Sequence, residues 1–288
     1  MTTWSPCTTS LGREALIIQD TFISGSIQLL VDGTPQSHVN LEDPSNLFFE
    51  YIRRMGSAID EVAIPGKPIS ALHLGGGAYT LPRYIEATRP GSSQNIVEID
   101  DKLIDYVRQI APLPKRSKIR VRRGDAREKL SSLPSGMHGN LDVIVVDVFS
   151  GSTTPAHLTT VQFYEKLLPF LHSESLVLVN TADGQGHAFV RRQMATLQLL
   201  FNKVAAASDA QTLKGKRFGN VVLIASEPKL LKQPNKNWQR ILNRVAANGP
   251  HPSKVLQAEE LKQFIAGSKP VFDENAVASP TPPDNLFK

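Results

Sequence analysis

Residues able to do chemistry recur along the middle of the chain. Gly75, Gly76 and Gly77 separate an apolar segment (ISALHL) from an amphipathic one (TLPRYIE). Glycines there remove side chains where a strand turns sharply into a helix, and they expose backbone N–H groups to a ligand. Glu98 closes the next apolar segment, 21 residues beyond Gly77. At that distance an acid can accept both hydroxyls of a ribose. Asp100 and Asp101 lie beside it and could share or take that role. In Gly124-Asp125-Ala126, Asp125 is placed to accept an adenine amino group, and Ala126 leaves room for the ring. Asp147 closes the fourth apolar segment. A tight turn without a ligand, or an acid that caps a helix, explains any one of these features. Together, at one rim, they point to a bound nucleoside.

A dinucleotide is the competing ligand. The run G-G-G-A-Y-T puts Thr80 where the last glycine of G-x-G-x-x-G stands, and an acid after the third strand suits an S-adenosyl group better. The seven histidines do not fall at metal-ligand spacing, so no metal is expected. His157, near the presumed site, reads first as a packing or loop-capping residue. Ser150 is not on a G-x-S-x-G elbow, which argues against a hydrolase.

These residues need a scaffold that brings strand ends together. Apolar runs at 69–74, 95–99, 118–122, 142–147 and 176–180 alternate with amphipathic stretches, predicting a parallel sheet with helices on both faces. Runs at 203–208 and 221–226 are too close together for a crossover helix and predict an antiparallel hairpin. The expected class is therefore α/β: a Rossmann-like methyltransferase fold with a seven-stranded, mostly parallel sheet that ends in an antiparallel hairpin. Short β-rich runs between Arg13 and Leu41, punctuated by Gly25 and Asp32-Gly33, predict a small N-terminal β-hairpin unit. The expected divisions are 1–55 for that unit and a linker helix, 56–228 for the nucleoside-binding domain, and 229–288 for two helices and a Pro-rich extended tail.

At this level of detail the chain resembles the spermidine/spermine synthases, the polyamine aminopropyltransferases, over residues 25–226. LLVDGTPQ resembles their L-D-G-x-x-Q segment, which implies that Gln36 contacts a sulfonium co-substrate. LGGGAY resembles their G-G-G-D-G loop, and VEID and GDA match their ribose and adenine acids. LDVIVVDVFSGSTTPAHLTTVQFYEKL resembles their D-x-x-D segment and the ordered run that follows it, through Pro155, Ala156, Leu158, Thr159, Phe163 and Tyr164. The resemblance implies S-adenosylmethionine or its decarboxylated form as co-substrate, a polyamine acceptor, and a homodimer built through the N-terminal strands. Asp147 and Ser150 mark the catalytic positions of D-x-x-D. There the family has a second acid, and a serine cannot act as base near neutral pH. The loop acid that holds the co-substrate's amine corresponds to Ala78, and a Tyr-His-Glu segment corresponds to Phe48-Phe49-Glu50. Aminopropyl transfer is therefore expected to be reduced or altered. Methyl transfer, which can proceed largely by positioning, and non-catalytic nucleoside binding remain as alternatives.

Composition agrees with this outline. The 288 residues are 41% hydrophobic, enough for one medium domain with a full core. The net charge of +5 does not call for an anionic partner. Eight basic residues fall within 115–129. They read as the solvated face of a strand, and no aromatic stacking motif supports nucleic acid. A single cysteine, Cys7, excludes an internal disulfide. With no membrane span or signal-peptide pattern, the expectation is a soluble cytoplasmic protein.

Overall fold

In the computed structural model, residues 2–248 and 253–283 are described. Two sheets organise them. The N-terminal sheet runs β1 (Cys7–Thr8), β2 (Glu14–Gln19), β3 (Ser26–Val31) and β4 (Thr34–Asn40), each antiparallel to its neighbour. The expected hairpin unit is thus a four-stranded sheet. Its apolar face, which includes Ala15, Ile17, Ile27 and Leu29, packs on Tyr79, Ile96, Leu103 and Val107 of the larger body. Four short strands bury too little to stand alone, and this contact supplies the missing half of their core.

The large sheet contains β5 (Ser70–Leu74), β6 (Ser93–Glu98), β7 (Lys118–Arg123), β8 (Leu141–Val146), β9 (Leu171–Asp183), β10 (Phe201–Ser208), β11 (Gly219–Pro228) and β12 (Lys254–Leu256). Its order is β12-β10-β11-β9-β8-β5-β6-β7, and β5 to β9 are parallel. β10 pairs antiparallel with β11, as the close spacing requires. The sheet has eight strands rather than the expected seven, because the three-residue β12 covers the free edge of β10. A strand so short carries too little pattern to be read from sequence.

Alternation along the strands feeds two cores. Leu72, Leu74, Ile144 and Val146 point to one face, and Ala71, Val143 and Val145 to the other. Helices α1 (Glu50–Asp60) and α2 (Thr80–Thr88) close the second face with α8 (Trp238–Ala247). α3 (Asp101–Ile110) instead packs beneath the N-terminal sheet. The first face is closed by α4 (Ala126–Lys129), α5 (Val161–Glu165), α6 (Ala188–Leu200) and α9 (Ala258–Ile265). α7 (Ala210–Leu213) interrupts the polar link between β10 and β11, nucleated by Asp209, which accepts from the N–H groups of Gln211 and Thr212. The division drawn at 55/56 falls inside α1.

Residues 268–283 form no regular strand or long helix, yet they strap the first face. The Val161 N–H donates to the Val271 carbonyl, Ser279 and Thr154 exchange two hydrogen bonds, and Arg127 forms a two-pronged pair with Asp273. The strap therefore fastens the segment that follows β8. The final residues of the Pro-rich tail, 284–288, and His251 lie outside the described residues.

Candidate functional site

The carboxyl ends of β5, β6 and β8 and the turn after β7 open on a cavity of about 510 Å³, within the range that accepts a nucleoside. The glycine turn, Gln36, Glu98, Asp100, Asp125, Ala126, Asp147 and Ser150 all line it. Residues separated by more than a hundred positions thus meet at one rim.

Two glycines explain the turn. Gly75 has φ +91°, and a Cβ built on it would stand 2.0 Å from the Asp147 carbonyl oxygen. A side chain at 75 would force the first and fourth strand ends apart. Gly77 has φ +49°, and its Cβ would meet the Ser37 hydroxyl at 2.5 Å. That hydroxyl accepts from the Ala78 N–H at 3.1 Å, so the N-terminal sheet clasps the turn. The Ala78 side chain points into the apolar cluster under that sheet and is 1% exposed. The position that the resemblance equates with a ligand-binding acid therefore does not line the cavity.

The acids hold the site as well as facing it. Glu98 accepts from the Gly76 N–H at 2.8 Å and from the Asp100 N–H at 3.0 Å. Burial pushes its carboxyl up, and these backbone bonds oppose the shift without cancelling it. A carboxylate offers about four lone-pair sites, so ribose hydroxyls can still be accepted. Asp100 is committed elsewhere. It caps α3 through the Leu103 N–H, and its two oxygens accept from the Ser10 and Leu11 N–H groups at 2.9 and 3.4 Å. These bonds tie the N-terminal loop to the rim, where Asp100 also lines the cavity. Asp125 caps α4 with one oxygen and takes His157 Nε2 at 2.8 Å on the other. Burial alone would raise its carboxyl, but the His157 and backbone hydrogen bonds hold it below the ordinary range.

Asp147 has different company. Asn180 Nδ2 donates to one oxygen at 2.9 Å, and the Tyr51 hydroxyl approaches the other at 3.4 Å. Asn180 in turn accepts from Asn220 at 3.0 Å. No cation pairs with Asp147 among the described residues, and burial pushes its carboxyl above the ordinary range against those two hydrogen bonds. Burial, reinforced by Asp147, also pushes the Tyr51 hydroxyl well up. The Phe49 and Tyr51 rings stack with centroids 6.1 Å apart, giving this end an aromatic wall. Ser150 sits in a turn closed by its N–H on the Thr153 carbonyl, and Gln36 Nε2 reaches the Gly151 carbonyl at 3.3 Å.

Sequence reasoning missed Tyr51, Asn180 and Ser37. Tyr51 reads as one more residue of an apolar helix face. Asn180 did leave a signal: it is the first polar residue of LVLVN, at a strand's carboxyl end. The basic run 118–123 is the edge strand β7, where Arg122 bonds Asn95 and Arg123 pairs with Asp105. Among the described residues no group of His, Cys, Asp and Glu is arranged to hold a metal, and no helix is long and apolar enough to cross a membrane.

The strand order and the glycine rim define an α/β protein of the Rossmann-like methyltransferase class. No family model matches the sequence. The chain is 27% identical over 240 residues to a polyamine aminopropyltransferase of Neisseria meningitidis, covering 77% of this chain and 85% of that one. Its structure is similar to that of a probable spermidine synthase from Corynebacterium glutamicum, with a TM-score of 0.80, 27% identity, and 94% and 96% of the two chains covered. A spermidine synthase solved in complex with the transition-state analogue AdoDATO shares the fold, with a TM-score of 0.60 and 14% identity over 91% of this chain and 88% of that one. Within its class, the chain is similar in sequence to polyamine aminopropyltransferases and in structure to a probable spermidine synthase.

Proposed function

We propose that the chain binds an S-adenosyl sulfonium co-substrate in this cavity and transfers an alkyl group from it to an acceptor held against Asp147. The observation that carries the reading is the shared cavity. The side-chain-free turn at Gly75 to Gly77, the ribose-competent Glu98 and the uncompensated carboxyl of Asp147 face the same space. The fit is supported by the cavity's size and by the glycine turn that lines it.

A sulfonium supplies an electrophilic carbon and a neutral thioether as leaving group. The protein's own contribution is to orient the acceptor and take its proton. Asp147 does this when ionised, and its raised pKa makes it a stronger base than an exposed carboxylate. Asn180 and Tyr51 fix its two oxygens, so the remaining lone pairs face the cavity. Ser150 offers no second carboxylate. A doubly charged diamine therefore has one counter-charge at this end, and aminopropyl transfer to it is slow. Methyl transfer is the second reading. It is favoured by the apolar burial of Ala78, which leaves no acid on the glycine turn to receive a lone ammonium.

Calorimetric titration with methylthioadenosine, S-adenosylmethionine and its decarboxylated form tests the nucleoside reading. Turnover with putrescine, followed by product mass, tests the transfer. Binding of at least one nucleoside is expected, and failure of all three would sink the proposal. Binding with no turnover on any acceptor would leave a nucleoside-binding protein.

A further inference from the structure

The loop between β1 and β2 brings a cation to the cavity. Among the described residues that line it, Arg13 is the one lysine or arginine. Its loop is built to stay there. The Thr9 N–H donates to the Arg13 carbonyl at 2.8 Å, the Arg13 N–H returns to the Thr9 hydroxyl at 3.2 Å, and Asp100 holds Ser10 and Leu11 between them. Asp32 completes the hold: one oxygen accepts from the Glu14 N–H and the other from Arg13 Nη1, both at 3.0 Å.

The guanidinium lies against the turn that follows β8. A Cβ built on Gly151 would fall 2.2 Å from Arg13 Nη1, so the arginine occupies the space a side chain there would fill. The Gly151 carbonyl accepts from Gln36, and the neighbouring Ser37 accepts from Ala78 of the glycine turn. Contacts thus run from Arg13 through Gly151 and Gln36 to the loop whose acid the resemblance expects to bind an ammonium. At this end the cavity offers no carboxylate from Ala78 and does offer a guanidinium. Asp32 engages one of its five N–H groups, which leaves donors for a planar, bidentate partner.

We infer that Arg13 selects a sulfonium nucleoside whose tail carries a carboxylate, so that the site takes intact S-adenosylmethionine in preference to the decarboxylated compound. This rests on the nucleoside reading above. A decarboxylated tail presents only an ammonium, which the guanidinium repels. A carboxylated tail accepts charge-assisted hydrogen bonds from it. An aminopropyl group is what such a tail becomes once the carboxylate is gone, so this selection leads away from the reaction named in the relatives.

The test is calorimetric titration of the full chain, and of Arg13→Gln and Asp32→Asn, with the intact compound, the decarboxylated compound and methylthioadenosine. The wild type is expected to prefer the intact compound by about tenfold to a hundredfold, the range that one charged hydrogen bond supplies. Arg13→Gln should abolish that preference without changing methylthioadenosine affinity. Asp32→Asn keeps the guanidinium and should keep or enlarge the preference. If methylthioadenosine binds and the decarboxylated compound binds as well as or better than the intact one, this inference falls while the nucleoside reading stands. It also falls if the preference survives Arg13→Gln. If no nucleoside binds, both fall together.

Discussion

The end of the cavity at the glycine turn and Glu98 is made by backbone, whereas the end at the Asp147 carboxyl is made by side chains. At the first, Glu98 binds two main-chain N–H groups and Gly75 lies against the carbonyl of residue 147. At the second, Asp147 is held by the tips of Tyr51 and Asn180, and the wall is a pair of aromatic rings. A pocket end fixed by chain geometry tolerates change in the surrounding side chains. An end fixed by three side chains changes its chemistry with any one of them. That difference fits a resemblance to aminopropyltransferases that holds at Gly75 to Gly77, Glu98 and Asp125 and thins at Phe49 and Ser150.

The contrast is broken most directly at Asp147. If it is the proton acceptor, Asp147→Asn should lower transfer about 10²- to 10⁴-fold. Nucleoside affinity by calorimetry should stay within a few-fold of wild type. A parallel loss of affinity would mean that the two ends are one unit. The opposite damage is expected at Gly75. Gly75→Ala places a methyl group against the residue 147 carbonyl at φ +91°. It should cost about 3 kcal/mol in chemical denaturation and abolish nucleoside binding. Stability near wild type would show that the turn is more pliant than its geometry implies.

Two substitutions sharpen the reading of the divergent positions. Ser150→Asp restores a carboxylate at the cavity wall and should raise aminopropyl transfer to putrescine about tenfold, at the low end of an acid–base contribution. Ala78→Asp should bring no such gain. Its carboxyl would enter the apolar cluster of Ile17, Leu29 and Tyr79, and about 2 kcal/mol of stability should be lost. Denaturation and turnover measured on the same preparations separate the two outcomes.

These contrasts also show what the sequence could and could not reveal. Strands, glycine turn and acids are local patterns, and each apolar run names its own end. Asp100 is legible as an acid beside Glu98, but its work is decided by Ser10 and Leu11, some ninety positions earlier. Such pairings leave no periodicity to read. The same holds for the strap at 268–283, whose contacts with Thr154, Val161 and Arg127 are made by an irregular segment. β12 is three residues long, below any pattern length, and it turned seven strands into eight. Tyr51 was hidden for another reason. An aromatic on an amphipathic helix packs by default, and only the approach to Asp147 gives its hydroxyl a role.

The smallest effect concerns Asp125, where the two kinds of construction overlap. Its carboxylate caps α4, accepts from His157, and lines the cavity. Asp125→Asn keeps an oxygen to cap α4 but loses the carboxylate's charged bond with His157, which should cost about 1 kcal/mol at neutral pH. The native carboxyl titrates below its ordinary value, because hydrogen bonds from His157 and the backbone outweigh the effect of burial. Its contribution is therefore complete above the pKa of the unfolded chain and disappears as pH falls through the lower native value. Denaturation of wild type and variant across that acid range should bring the two curves together. A gap that persists to the lowest pH would assign the loss to packing rather than charge. Titration with an inosine-type analogue, which lacks the amino donor, then reads the ligand's share separately. If Asp125 accepts from adenine, wild type should discriminate against that analogue, and Asp125→Asn, which keeps one acceptor and gains a donor, should discriminate less.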